Sequence, residues 1–341
     1  MPQAVLFSTS TSKPVEVRPR FFVAIAAALM GALGLHCALV YAQLGVATRS
    51  TVWSYEINQK KLQRAAGISK PKLLLIGGSA TLFGVQAELI EKTLDYPTVN
   101  MGTHAGLGLA YMLHLAKQAA RPADTVVLAF EYNTYGYDLV RRDPIFVDYL
   151  LARDPVYFRA LPLQARFEIA MMTTMPRLRK GIRNRFRPEG PLKPAAIYHP
   201  ANLNAYGDQL GNEPTNRPAK VPNLNVPDEW LMYGLLKDMP AFESIREFVF
   251  WARTNNVRVF ATYPNIMENP GYKAAIAKDT LKRIQNAYAE LEVPMIGSFQ
   301  ESMLPASAFL DTCYHLTREG AQQRTERLMP HLAAVLNRER K

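Results

Sequence analysis

A serine after an apolar run and two glycines, and an aspartate and a histidine close together near the C-terminus, are residue types that together can transfer an acyl group. A serine hydroxyl needs a base to become a nucleophile, and an imidazole needs a carboxylate to hold its orientation. The run LLLIGGSATLFG sets Ser79 between an expected strand and an expected helix, where free backbone N–H groups gather at the strand's C-terminal edge. Gly-Gly-Ser is also a common turn, and the run lacks the Gly-x-Ser-x-Gly elbow, so Ser79 by itself leaves both readings open. In VNMGTHAG, Asn100, Gly102 and Gly106 follow a second expected strand; glycines there let backbone approach a ligand and offer an N–H to an oxyanion, and a plain turn would read the same. In AFEYNTYGYD, the Asn133 amide either donates to that oxyanion or is a turn residue, while Glu131, Tyr132 and Tyr135 are expected to line or floor a pocket. FLDTCYHLTREG puts Asp311 and His315 after the last expected strand, at the same sheet edge as Ser79, with Thr317 able to cap the helix that follows.

Other residues compete for these roles. His104 lies within the second block and is a rival base; substrate contact or packing is the reading preferred here. His114 and His331 read as ordinary surface or core histidines, and His199 precedes a turn-rich stretch whose Gly207-Asp208 would border the site. Cys313, between Asp311 and His315, is an alternative nucleophile without the strand-turn-helix setting of Ser79. No clustered His, Asp and Glu spacing suggests a metal, and no cofactor is expected.

Positioning these residues requires an α/β chain. Short leucine-rich or β-branched runs alternate with longer amphipathic ones, the pattern of a parallel sheet with crossover helices. Strands are expected at 72–76, 97–101, 125–130, 258–262 and 293–296, and helices at 82–94, 106–119, 241–254, 272–291 and 317–337. Between 139 and 238 the alternation lapses into a stretch rich in Pro, Arg and Asn, read as an insertion. Within it MPRLRKGIRNRFRPEG gathers Arg177, Arg179, Lys180, Arg183, Arg185 and Arg187 around Leu178, Ile182 and Phe186. A solvated basic helix face is the plain reading; contact with membrane headgroups or an anionic polysaccharide is the other.

The N-terminal run FFVAIAAALMGALGLHCALVYA is uncharged and about the 20 residues long that a bilayer's hydrocarbon core requires of a helix. Lys13, Arg18 and Arg20 precede it with only Glu16 opposing, so residues 1–20 are expected in the cytoplasm, 21–43 as the anchor, 44–70 as a polar linker helix and 71–341 across the membrane. A cleaved signal peptide ending near Val40-Tyr41-Ala42 is the alternative. His36 and Cys37 read as passengers of this helix, and with one cysteine there and Cys313 in the domain no disulfide framework is expected. The formal charge of +11 suits anionic partners; without zinc-ligand, basic-zipper or aromatic RNA-binding patterns, nucleic acid is not an expected one.

The blocks NMGTHAG and DTCYHLTREG, with Gly-Gly-Ser ahead of them, make the chain resemble the SGNH/GDSL hydrolase superfamily over residues 72–337, in particular the membrane-anchored branch that acylates bacterial cell-surface polysaccharides. The resemblance implies a flavodoxin-like three-layer α/β sandwich around a central parallel sheet. It implies Ser79 as nucleophile, His315 and Asp311 completing a triad, and Gly102 and Asn133 in the oxyanion hole, and it leaves His104, Glu131 and Tyr132 as expected substrate contacts. It further implies an inner-membrane, single-pass protein with a periplasmic domain, a polysaccharide or acyl-donor substrate, and a multi-spanning membrane O-acyltransferase as partner. The chain departs from the family pattern in reading Gly-Gly-Ser for Gly-Asp-Ser, in lacking Gly-x-Asn-Asp in the third block, and in spacing Asp311 four residues from His315 rather than three. An esterase that releases the acyl group to water, and a non-catalytic glycan-binding scaffold, are the rival functions.

Overall fold

Leucine-rich and β-branched runs must be covered on both faces, and in the computed structural model five of them form one parallel sheet. The structure describes residues 19–140, 143–195, 197–218 and 226–336. Lys13, Glu16, Arg18 and nearly all of the expected cytoplasmic segment, and the expected helix end at Asn337, lie outside the described residues.

The strands are β1 (Leu73–Gly77), β2 (Thr98–Asn100), β3 (Thr125–Ala129), β4 (Arg258–Thr262), β5 (Ile266–Met267), β6 (Met295–Ile296) and β7 (Met303–Leu304). The main sheet runs β2-β1-β3-β4-β6, all parallel, and β5 pairs with β7 in a second, two-stranded sheet. Every residue of β1 and β3 is buried. Side chains alternate between faces: Leu74 and Ile76 pack into one cluster with helices Leu109–Ala119, Ala241–Thr254 and Ala275–Glu290, while Leu73 and Leu75 pack into another with Ala87–Leu94 and Arg318–Leu336. Three layers result. The strand order reverses between β1 and β3, so a crevice opens at their C-terminal ends, where Gly77 and Ala129 stand side by side.

Several expected helices are divided. The helix expected at 82–94 is two, Ser79–Gly84 and Ala87–Leu94, separated by extended Val85 and Gln86. Asn100 explains the break: its Nδ2 donates to the carbonyls of Thr81 (3.1 Å) and Val85 (2.8 Å), giving the ending helix a side-chain partner. The helix expected at 106–119 starts at Leu109, because Gly108 has φ 79 and closes a 3₁₀ turn, Ala105–Leu107. The helix expected at 272–291 starts at Ala275, after the 3₁₀ turn Pro270–Lys273 capped by Asn269.

Among its described residues the insertion contributes no strand to the main sheet; it includes the successive helices Pro144–Arg153, Pro155–Ala160, Leu163–Met172 and Met175–Phe186. Three begin with a side-chain cap, from Asp143, Asp154 or Thr174, and a proline in the first turn, where a missing N–H costs nothing. Their apolar faces form a further cluster with Phe146, Leu150, Phe158, Ile169 and Leu178. Val40 is buried in the same cluster, at the end of helix Pro19–Ala42. That helix is long and apolar enough to cross a membrane, and all but its last turns stand exposed.

Candidate active site

The turn that presents Ser79 is built by glycines and one carboxylate. A Cβ at Gly77 would stand 2.1 Å from Thr81 Oγ1 and 2.3 Å from the Ala129 carbonyl oxygen, and one at Gly78 would stand 2.4 Å from Glu131 Oε2. Neither position admits a side chain without displacing its neighbours. Glu131, buried just after β3, accepts from the N–H of Gly78 (3.2 Å) on Oε2, and from the N–H of Ala80 (2.7 Å) and the hydroxyl of Ser79 (3.4 Å) on Oε1. Of three consecutive N–H groups, Glu131 thus takes the outer two and leaves that of Ser79, the first residue of its helix. An N–H at that place is suited to a developing oxyanion.

His315 reaches the same helix from the C-terminal loop. Its ring stacks on Phe83, centroids 4.4 Å apart and planes 16° from parallel, one helical turn beyond Ser79. Nδ1 of His315 donates to Asp311 Oδ1 at 2.7 Å, which leaves Nε2 to take a proton. Burial pushes the Asp311 carboxyl up, but the hydrogen bond and charge of His315 outweigh it and hold the group below the ordinary aspartate value. Among the described residues no hydrogen bond joins Ser79 to His315; the Ser79 hydroxyl is turned toward Glu131.

Tyr198, from the insertion, completes the pair. Its hydroxyl donates to Asp311 Oδ2 at 2.5 Å and lies 3.3 Å from His315 Nδ1. Burial first, then Asp311, pushes the Tyr198 phenol up, so it remains a donor. Its ring meets Trp53 edge-on at 5.2 Å and Phe83 at 5.9 Å, making an aromatic wall beside His315. The sequence reading missed Tyr198, which sits in a stretch without periodicity. The insertion grips the His315 loop elsewhere too: Asn212 Nδ2 donates to the Leu316 carbonyl (3.1 Å), Arg217 to the carbonyls of Ser307 (2.9 Å) and Phe309, and Asp228 Oδ2 accepts from the Tyr314 hydroxyl (2.7 Å).

His315, with Asp311, is thus brought against Phe83 of the helix that Ser79 opens, and the other expected site residues are placed as follows. Gly102 donates its N–H to Asn100 Oδ1 at 2.9 Å, and a Cβ there would lie 2.2 Å from the Leu82 nitrogen; it is a close-packing glycine under the Ser79 helix, with its donor already engaged. Asn133 lies in the 3₁₀ turn Tyr132–Gly136, its Oδ1 buried without a partner among the described residues. Tyr132 is 1% exposed and packed within the central cluster. Glu131 is likewise buried, with its carboxylate bonded to the turn that presents Ser79. His104 Nδ1 accepts from the Gly106 N–H at 2.9 Å and the ring meets Trp53 edge-on, so it shapes the turn behind the wall rather than serving as base. Tyr135 is buried and hydrogen-bonded to the Tyr288 hydroxyl at 2.9 Å.

The remaining candidates are structural. Burial pushes the Cys313 thiol up to about 12, which leaves it protonated and a poor nucleophile at neutral pH. Asp208 caps helix Ala87–Leu94 through the N–H groups of Ala87 (2.7 Å) and Glu88 (3.0 Å), and His199 caps a 3₁₀ turn at Ala201. His331 bonds Glu301, and His114 bonds Gln118. His36 is no passenger: its Nε2 bonds the Ala170 carbonyl oxygen at 2.8 Å. Among the described residues no group of three or more His, Cys, Asp and Glu could hold a metal. Compared with family models, curated proteins and solved structures, this chain matches none.

Proposed function

We propose that the chain is a membrane-anchored serine acyl-transfer enzyme of the SGNH type, an O-acyltransferase or esterase acting on a cell-surface polysaccharide or envelope glycan. The observation that carries this reading is the Asp311–His315 pair, hydrogen-bonded at 2.7 Å and stacked on Phe83 of the helix that Ser79 opens. The reaction begins when His315 Nε2 takes the Ser79 proton and Oγ attacks an acyl carbon. The N–H of Ser79 and the Asn133 amide stabilise the oxyanion, and the imidazolium, steadied by Asp311, protonates the departing oxygen. An acyl-enzyme follows, and His315 then deprotonates a sugar hydroxyl or water to release it. The strand order with its reversal beside β1 suits the flavodoxin-like sandwich that the resemblance implies. Polysaccharide as acceptor, a periplasmic domain and a multi-spanning acyltransferase partner come from the resemblance.

The burial of Val40 and the His36 bond to Ala170 favour an uncleaved membrane anchor over a signal peptide, because the end of helix Pro19–Ala42 is part of the domain's own core. The direct test is p-nitrophenyl acetate with the wild type, Ser79→Ala and His315→Ala, followed by stopped flow. A burst in the wild type, absent from both variants, is expected, with turnover accelerated by an oligosaccharide acceptor if transfer dominates. A folded wild type that shows no burst and binds glycan equally well after Ser79→Ala would instead be a scaffold.

A further inference from the structure

We infer that helices Leu163–Met172 and Met175–Phe186 form an interfacial foot that rests on the anionic phospholipid headgroups of the leaflet from which helix Pro19–Ala42 emerges. The inference rests on the anchor reading above and adds the surface by which the domain is held against the bilayer.

Depth comes first. The anchor helix has 24 residues and is about 36 Å long, somewhat more than the roughly 30 Å of a hydrocarbon core. Its contacts with the two helices fall in its last turns and the residue that follows: His36 Nε2 with the Ala170 carbonyl oxygen (2.8 Å), Arg185 Nη1 to the Ala42 carbonyl (2.7 Å), and Gln43 Nε2 to the Leu178 carbonyl (2.9 Å). These contacts occupy about the final 10 Å of the helix axis, the level at which acyl chains give way to headgroups. The two helices are thereby fixed at that level.

The exposed surface has the matching chemistry. Ala165, Ile169 and Ala170, and Leu178, Gly181 and Asn184, turn inward. Outward, Leu163, Phe167 and Met171 recur every four residues, and Met175, Ile182 and Phe186 follow on the next helix, with Phe186 79% exposed. Water would leave this patch a liability, whereas an interface buries it. Exposed Arg179, Arg183 and Arg187 repeat at the same interval, so charge and apolar surface interleave as in helices that lie in a headgroup layer. Each basic side chain near an anionic surface favours its binding about fivefold. A cleft of about 670 Å³ between the foot and helix Pro144–Arg153 is lined by Phe167, Met171, Arg177 and Lys180, with Asp148 and Glu168 also on its wall.

The test uses the full chain in nanodiscs with brominated acyl chains, one bimane-labelled cysteine per variant in a Cys37→Ala/Cys313→Ala background. Leu33→Cys reports on the anchor, Phe186→Cys on the foot, and Gln323→Cys on the exposed side of the opposite helical layer. With phosphatidylglycerol present, quenching at positions 33 and 186 but not 323 is expected. Replacing phosphatidylglycerol by phosphatidylcholine, or adding Arg179→Glu/Arg187→Glu, should cut quenching at 186 by about twofold or more and leave 33 unchanged. Quenching at 33 without quenching at 186 overturns the foot and leaves the anchor standing. No quenching at 33 overturns the anchor reading and the foot with it. Quenching at 186 that ignores both lipid charge and the double substitution overturns the headgroup contact.

Discussion

Gly102 and Asn133 were expected to do the same work, and their surroundings separate them. Gly102 has spent its N–H on Asn100, and its missing side chain is what lets the Ser79 helix pass. Gly102→Ala should therefore act on stability, by about 3 kcal/mol for a Cβ forced against backbone, read as a shift in the urea midpoint. Asn133 carries a buried oxygen with no partner among the described residues, so removing it relieves a desolvated group. Asn133→Ala should leave the urea midpoint unchanged or slightly higher while lowering kcat/KM for an activated ester about a hundredfold, the scale of one oxyanion donor. Equal activity in Asn133→Ala would remove the amide from the mechanism. At this scale the sequence was legible where chemistry constrains residue type. The Asp311–His315 pair meets the helix that Ser79 opens, and placement after a strand is a local property. Tyr132 points into the core, because a residue just past a parallel strand can do so as readily as into the crevice and composition does not tell which; its neighbour Glu131 turns the other way and floors the crevice at Ser79.

Elements far apart in sequence hold the site's parts in register. Tyr198 comes from the insertion, yet its hydroxyl fixes the carboxylate that orients His315. Tyr198→Phe keeps the ring packing on Trp53 and Phe83 but removes that bond; kcat should fall about tenfold, the worth of a hydrogen bond to a charged group, with the fold intact by circular dichroism. An unchanged kcat would make Tyr198 a wall and nothing more. Lys61, on helix Val52–Gly67, is buried and donates Nζ to the Gly102 carbonyl oxygen, which ties the linker helix to the second block. Burial pushes its ammonium down to about 7, with the Asp208 charge opposing. The unfolded lysine keeps its proton up to its ordinary value while the folded one sheds it above about 7, so the unfolded state binds more protons in that window and stability rises with pH. The urea midpoint should increase from pH 7 to pH 9 in the wild type more than in Lys61→Met; equal slopes would refute the shift. The main strands were legible within one or two residues because parallel strands are continuous apolar runs. The two-residue strands β5 and β7 are too short for any period, and three of the insertion's helices announce themselves by Asp143-Pro144, Asp154-Pro155 and Thr174-Met175-Pro176, caps whose meaning needs the apolar faces behind them.

The whole molecule joins an apolar helix to an α/β domain through a shared core rather than a free tether. Trp53, on the aromatic wall beside His315, follows Ala42 so soon that even an extended chain separates them by no more than about 40 Å. If helix Pro19–Ala42 spans a membrane and the proposed site is catalytic, that distance suits a substrate or acyl donor delivered at the membrane. The sequence revealed the apolar run by length and composition alone; it could not reveal that Val40 would be enclosed by Phe158, Ile169 and Leu178, residues more than a hundred positions away in a stretch read as irregular. That enclosure makes a difference between anchor and signal peptide that can be measured. Val40→Ala in the full chain deletes buried methyl groups from the junction and should cost about 1–2 kcal/mol, a fall of about 2–6 °C in Tm. Leu29→Ala, on the same helix but 66% exposed, should leave Tm unchanged. Intact-mass analysis of protein recovered from membranes should find residues 21–42 retained. A mature chain that begins at Gln43 would make the Val40 contact a feature of the precursor only, and equal melting of Val40→Ala and Leu29→Ala would show that the helix and the domain are merely tethered.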